Sequence, residues 1–465
     1  MAVSEARPES WISAEQVREL SHSLGDTAPM AEARRHAFRA FLEQPIEPDP
    51  LYRKYGYFAG VDLRGLAPVG RAAPVPAPAT QSETLEIVHD ASGTRVQMPS
   101  VLRDAGVTVA TYPQILQNLA PGAGAFGLSA EAGEIPDRLS ALAATLVNRA
   151  IEVSIPDGTK VPVRLKDITV LSEPHQALSV HRRLRVGQGS RLLASEEVYC
   201  QGAPVGQRFH GTATEIQLHD DAQAAYLTVH APDLETISIS SRAATVGTRG
   251  RMTWVWGGFG GFRTKARNTT KLVGQGADVE DLQAFYGAGR QAYDSGVRIE
   301  HIGTDTHGQS ITRGVFRDEA RGMSRGLVRI EKDARRTVSF LSEHAMLLSK
   351  GARSDTIPIL EILCRDVKAT HSTSVAPVDP EKVFYLESRG IDPDDAVRMI
   401  GEGFLSYVLA RAPFADLRDR LYPYLAARWD GHPVAWGDAT SPSLPPLEFT
   451  GEGAGTEWRF DAKLR

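Results

Sequence analysis

Thr236-Ile237-Ser238-Ile239-Ser240-Ser241 alternates polar and apolar residues and runs into Arg242-Ala243; after Gly247-Thr248-Arg249-Gly250 the chain resumes as Thr253-Trp254-Val255-Trp256. A period of two is a strand signal, and the glycine-bounded segment between is a turn signal. The same unit recurs to either side. Ile151, Val153 and Ile155 alternate with polar residues before Pro156-Asp157-Gly158, and Leu184 and Val186 flank Arg185 before Gly187. Ala225-Tyr226-Leu227-Thr228-Val229 follows Asp220-Asp221, and Val297-Arg298-Ile299 and Leu327-Val328-Arg329-Ile330 continue the series. A small residue recurs behind a charged or turn residue, as in Asp221-Ala222, Arg242-Ala243, Lys265-Ala266, Gly276-Ala277, Glu319-Ala320 and Asp333-Ala334. Their spacing is irregular, one or two solenoid coils apart. Short strands, small residues at corners and no helices between them predict a right-handed parallel β-helix over residues 151–375. Each coil would bury its inward face only by stacking on its neighbour. An antiparallel sandwich is the rival, and the scarcity of Asn-Gly and Asp-Gly hairpin turns counts against it.

The flanks read as helical. Residues 1–150 form an N-terminal region in which Ser13 and Gln16 have capping-box spacing before Val17 and Leu20. A second helix covers roughly 31–43, with Ala37, Phe38, Phe41 and Leu42 on one side, and Pro45, Pro48 and Pro50 stop it. Residues 67–79 are rich in proline and alanine and read as a semi-extended linker. A further helix is expected from Pro136, carrying Leu139, Leu142, Ala143, Leu146, Val147 and Ala150. Beyond the strands, residues 376–430 are predicted to be helical. Asp379-Pro380 and Asp392-Pro393 each look like an N-cap with proline at the first helical position, and Gly390 sits at a C′ position after Arg389. Ala396, Met399, Ile400, Phe404, Tyr407 and Val408 keep helical spacing, and a third helix runs through Phe414, Leu417, Leu421 and Leu425. Residues 431–465 read as a tail with at most a strand near Trp458 and Phe460.

Composition bounds the function. The 465 residues carry a net charge of −5 from 52 basic and 57 acidic side chains, which gives no nucleic-acid footprint. No apolar run is long enough to span a membrane, and Met1 to Pro8 shows no leader pattern, so a cytoplasmic protein is expected. Two cysteines, Cys200 and Cys364, cannot supply a Cys₄ zinc or iron–sulfur site. Gly122, Gly124 and Gly127 have the GxGxxG spacing, but the residues before them are helix-like and not a strand, so a loop is the better reading. Gly257-Gly258-Phe259-Gly260-Gly261-Phe262 reads as a turn of close backbone approach. No GxxxxGK[ST], HExxH or Gly-x-Ser-x-Gly motif occurs, which leaves no ATP site and no evident catalytic group. His301 and His307, flanking Gly303-Thr304-Asp305-Thr306, read as hydrogen-bonded histidines and not as a metal pair.

The segment Ile359-Leu-Glu-Ile-Leu-Cys364-Arg-Asp-Val-Lys-Ala369-Thr-His371-Ser-Thr-Ser-Val375, followed by Val383-Phe-Tyr-Leu-Glu-Ser-Arg-Gly-Ile391, closely resembles the C-terminal signature of the SufB/SufD scaffold family. Tyr52 to Leu66, Asp294 to His301 and Ala345 to Ser349 fit it too, so the resemblance covers most of residues 50–430. It implies a β-helix between helical ends and a non-catalytic role in assembling iron–sulfur clusters. It also implies docking of a SufC-type ATPase through the C-terminal helices, where Phe384, Tyr385, Arg389, Gly390 and Phe404 match the pattern. Pairing would be with a SufB-type scaffold or a second copy of the chain, with a transient cluster shared between the two. Where the family carries a cysteine two residues before the histidine, this chain has Ala369; His371 is retained. Residues i and i+2 of a strand share a face, so Ala369 stands where a thiolate would, and Cys364, at an odd offset, falls on the opposite face with Leu360 and Ile362. Cys364 is therefore a weak metal candidate and reads better as a core residue. The resemblance is SufD-like, with His371 as the candidate iron ligand at the interface. Alternatives are a SufB-like homodimer that holds the cluster alone, a β-helix enzyme acting on carbohydrate, and an adaptor.

Overall fold

The structure is a computed structural model that describes residues 11–47, 58, 61–70, 83–112, 115, 137–202, 206–414 and 417–432. Gly122 to Gly127, most of the 67–79 segment and the tail with Trp458 and Phe460 lie outside the described residues.

Two helices open the chain, α1 (Ala14–Leu24) and α2 (Ala28–Glu43). Strands β1 (Ala67–Pro68), β2 (Thr84–Asp90) and β3 (Gly93–Gln97) follow, then α3 (Ser100–Asp104), β4 (Thr108–Thr111) and α4 (Arg138–Thr145). The solenoid strands are β5 (Val147–Ile155), β6 (Val163–Leu171), β7 (Gln176–Val186), β8 (Arg191–Cys200), β9 (Arg208–Leu218), β10 (Gln223–His230), β11 (Thr236–Val246) and β12 (Arg251–Gly258). They continue as β13 (Arg263–Leu272), β14 (Asp278–Gly287), β15 (Ala292–His301), β16 (His307–Phe316), β17 (Arg321–Ile330), β18 (Thr337–Leu347), β19 (Arg353–Ile362) and β20 (Val367–Pro377). Helices α5 (Pro380–Glu387), α6 (Pro393–Leu409) and α7 (Leu417–Trp429) close the described chain.

From β5 onward, odd and even strands separate into two ten-stranded sheets, and from β7 to β18 each strand pairs with the strands two before and two after it. Every one of those pairings is parallel; the antiparallel pairs are β2 with β3 and β4 with β5 at the N-terminal end. The fold is therefore a parallel β-solenoid flanked by helices, and the sandwich reading is excluded. Arg191, Gln223, Arg251, Asp278 and His307 stand one above the next, so a coil takes roughly 30 residues, within the range of solenoid repeats.

Of the six small residues, Ala243 and Ala266 lie within β11 and β13, and the other four stand at corners. Ala222, Ala277, Ala320 and Ala334 are fully buried where one coil turns onto the next. Asp221, Arg249, Asp305, Asp318 and Arg336 hold positive φ at these corners. The glycine-rich turn also behaves as expected: a Cβ on Gly260 would lie 2.1 Å from the Pro232 carbonyl oxygen.

The inward faces of the two sheets form a lumen with two halves. One half is apolar, where Val153, Leu184, Ile216 and Val246 meet Leu165, Leu192, Tyr226 and Trp254. The other is a polar column in strict register: Asp167, Glu196, Thr228, Trp256, Gln283, Thr312, Glu343 and Thr373. Groups on the facing sheet satisfy much of it. Arg182 Nη2 donates to Asp167 Oδ1 at 2.6 Å and Nη1 to Glu196 Oε1 at 3.0 Å, with all three side chains wholly buried.

The alternation that opened the sequence analysis points outward. Ile237 and Ile239 pack with Leu139, Leu142, Phe41 and the rest of the N-terminal helical layer, so Ser238 and Ser240 face the lumen. Gly211 lets α4 sit against this face: a Cβ there would meet Ala143 at 3.1 Å. The helix expected to run through Ala150 stops at Thr145, and Val147 to Ile155 pair as a strand, with an irregularity between Val147 and Arg149. The N-terminal region also holds β2, β3 and β4, which extend the two sheets. Among the described residues no helix is long and apolar enough to cross a membrane.

The caps form as their residue types dictate. Ser13 and Gln16 make a reciprocal capping box, Asp379 and Asp392 each accept from the backbone N–H two residues on, and Gly390 has φ +86°. Helices α6 and α7 cover the outer face of the even sheet, through Leu405, Val408, Leu421 and Tyr424 against Leu227, Val255, Leu282 and Ile311. Tyr424 and Tyr199 also hydrogen-bond through their hydroxyls at 2.8 Å.

Candidate functional site

The last coil differs from the others in that, among the described residues, no further strand stacks on it. Among the described residues β19 pairs only with β17, and β20 only with β18, so each presents a free edge. No residue of either strand is buried: β20 is mostly exposed and β19 mostly half-buried, and the coil displays Ile359, Ile362, Leu363 and Val375 to solvent. A sheet edge with unpaired backbone groups and exposed apolar side chains is a template for another chain.

His371 lies in this coil. Its register partner on β18 is Leu341, a buried lumen residue, so His371 shares the inward side yet remains exposed at the open end. Ala369 lies on the same side, against Leu341, Val367 and Leu360. Cys364 corrects the sequence reading. It is buried, 8% exposed, and packs in the same cluster as Ala369, not on the opposite face. Residues 363–366 form a corner between β19 and β20, so the strand parity assumed between Cys364 and Ala369 does not hold. Ile362, expected beside it, is 42% exposed.

Cys200 is also buried; its sulfur is hydrogen-bonded by the Asp233 backbone N–H at 3.4 Å, and burial pushes the thiol up to about 12. A thiol held protonated in this way is neither a nucleophile nor a ready metal ligand. His301 is buried and bonded to Thr306 at 2.9 Å and Ser339 at 3.1 Å, as a structural histidine should be. Among the described residues no three His, Cys, Asp or Glu side chains converge as a metal-binding group.

Glu343, one coil before His371, is a residue that sequence reasoning missed. It accepts a hydrogen bond from Ser324 across the lumen, and burial pushes its carboxyl up to about 7. Nothing in the local sequence marks it; only the register shows that it faces inward.

The C-terminal helices separate the second group of candidates. Phe384 is 69% exposed and Tyr385 57%, and no residue of α5 is buried. Arg389 lies over the Tyr385 ring at 5.1 Å, and Gly390 closes the turn after the helix. Phe404 is partly buried and does a different job: Arg313 stacks on it at 4.5 Å and on Tyr407 at 4.1 Å, fastening α6 to β16.

A comparison with family models matches residues 170–404, which is half of the chain, to the SufBD core domain of SUF-system iron–sulfur cluster assembly. This chain belongs to the SufBD family. The SufBD match spans most of the solenoid and ends inside α6, so it includes the end coil and α5. Among curated proteins, the chain is 29% identical over 285 residues to the iron–sulfur cluster assembly protein SufD of Bacillus subtilis, covering 61% of this chain and 65% of that one. It is 28% identical over 254 residues to a SufBD family protein of Staphylococcus saprophyticus, covering 53% and 54% of the two chains. A Mycobacterium leprae SufBD family protein is 28% identical over 237 residues, or 49% of this chain and 27% of that one. The matched region thus spans less than two thirds of each relative's length. The chain is a SufBD-family protein that resembles SufD among its curated relatives.

Proposed function

We propose that this chain is the SufD-like half of a scaffold pair, joined through the end coil to a second, cysteine-richer SufB-type scaffold and docked through α5 by a SufC-type ATPase. His371 offers an imidazole nitrogen to iron at the junction, and the transient cluster is the cargo, completed by ligands of the other subunit. The observation that carries this reading is the last coil: two free sheet edges, a rim of apolar side chains and one exposed inward histidine. Imidazole can replace thiolate at iron, as in Rieske centres. Both cysteines of the chain are buried, which favours a partner-supplied thiolate over a homodimer that holds the cluster alone. The exposed Phe384 and Tyr385 supply apolar area for the ATPase, whose nucleotide site this sequence lacks.

Anaerobic purification of the tagged chain from its own cell extract tests the reading. A P-loop ATPase and a cysteine-richer homologue are expected to co-purify, and Phe384→Ala/Tyr385→Ala is expected to lose the ATPase while keeping the second scaffold. Recovery of the chain alone, free of iron, would overturn the proposal.

A further inference from the structure

The geometry points to Glu343 as the second protein ligand of the cation taken up at His371, reaching it from inside the solenoid; this rests on the reading of His371 given above. Glu343 is 1% exposed on the inward face of β18. One carboxylate oxygen accepts from Ser324 on the facing sheet; the other, Oε2, is buried with no hydrogen-bond partner among the described residues. That is costly for a buried acid. The other lumen acids differ. Glu196 engages Arg182, Thr212, Tyr226 and Thr228 with its two oxygens, and Asp281 engages Asn268 and Gln283.

The register places the free oxygen under the open end. Glu343 pairs with Thr373 and Leu341 with His371, so Glu343 and His371 are inward-facing diagonal neighbours on adjacent strands. Strand spacing and residue rise put such Cα atoms roughly 8 Å apart, a span that a carboxylate and an imidazole close onto one ion. No further coil covers them among the described residues. A cavity of about 20 Å³, lined by Thr312, Ser324, Ser354 and Thr356 among others, adjoins the carboxylate through Ser324, and the Thr312 hydroxyl is likewise without a partner among the described residues. A carboxylate oxygen with an imidazole nitrogen suits a divalent first-row cation such as ferrous iron. Two ligands leave coordination positions that water fills in the free chain and that the second scaffold can take over in the pair.

Cobalt(II) is the probe, titrated anaerobically into the full chain and followed by its d–d absorption, with melting temperature checked for each variant. Wild type is expected to bind one equivalent. Glu343→Gln, which keeps the side chain's size and its contact with Ser324, is expected to weaken binding about tenfold or more, as is His371→Ala. Glu343→Asp is expected to shift the absorption bands and carries the test if Glu343→Gln fails to fold. Wild-type affinity and spectrum in both Glu343 variants, with binding lost in His371→Ala, would overturn the role of Glu343 and leave that of His371 standing. Unchanged binding in all the variants, or no binding by wild type, would overturn both.

Discussion

Arg182→Met loses about 3–5 kcal/mol of unfolding free energy at pH 8, the range for leaving buried charges without their partner. Arg182 lies in the lumen and bridges Asp167 and Glu196 in successive coils of the facing sheet, with all three side chains out of water. Burial pushes both carboxyls up, but Arg182, with His89 at Asp167 and Arg242 at Glu196, holds them below the ordinary range. Without the guanidinium, Asp167 retains His89 at 3.3 Å, and burial favours the neutral form of that imidazole. Glu196 retains Arg242 at 3.7 Å. The sign of the pH dependence follows. In wild type the depressed carboxyls contribute stability that is present at neutral pH and is lost only as pH falls through their low values. In the variant the carboxyls rise, so protonation relieves the unpaired charge, and the deficit shrinks between pH 8 and pH 5. Denaturant unfolding of both proteins at the two pH values checks this. A deficit below 1 kcal/mol, or one that grows on acidification, would contradict the account.

Thr370→Lys/Ser372→Lys weakens association with the second scaffold at least about 100-fold, close to 2.7 kcal/mol. Both residues lie on β20 at positions alternating with the inward Ala369 and His371, and both are exposed. An edge strand recruits another strand through its free N–H and C=O groups, and lysine is the side chain natural sheets use to prevent that. The chain's own stability should stay within about 0.5 kcal/mol, because exposed sites away from packing tolerate substitution. Co-purification of the second scaffold at the wild-type level would remove the end coil from the interface.

The parts of the fold legible in the sequence were those set by local chemistry. Corner alanines behind turn residues, Asp-Pro helix starts and Gly390 each have a backbone requirement that a single residue type reveals. The direction of alternation was not legible. Ile237 and Ile239 look like lumen residues, yet a second apolar layer, the N-terminal helices, takes them, and the lumen receives serines. The stripe from Leu139 to Ala150 fits a helix by spacing alone; pairing of β5 with β7 overrides it after Thr145. The motif singled out His371, which the structure places exposed on the open coil, whereas the parity argument for Cys364 failed because a corner interrupts the strand. Phe384, Tyr385 and Phe404 share helical spacing, and only the packing separates the exposed pair from the one clamped by Arg313. Glu343 carries no sequence signal, because only the register with Thr312 and Thr373 shows that it faces inward.

The most direct test of the end coil as the site of cluster assembly is the iron and acid-labile sulfide content of the full complex, reconstituted anaerobically with His371→Ala in place of the wild-type chain. The account predicts an intact complex whose iron and sulfide fall to background. A His371→Ala complex that carries the wild-type amount of both, and transfers them to an acceptor protein at the wild-type rate, would contradict it.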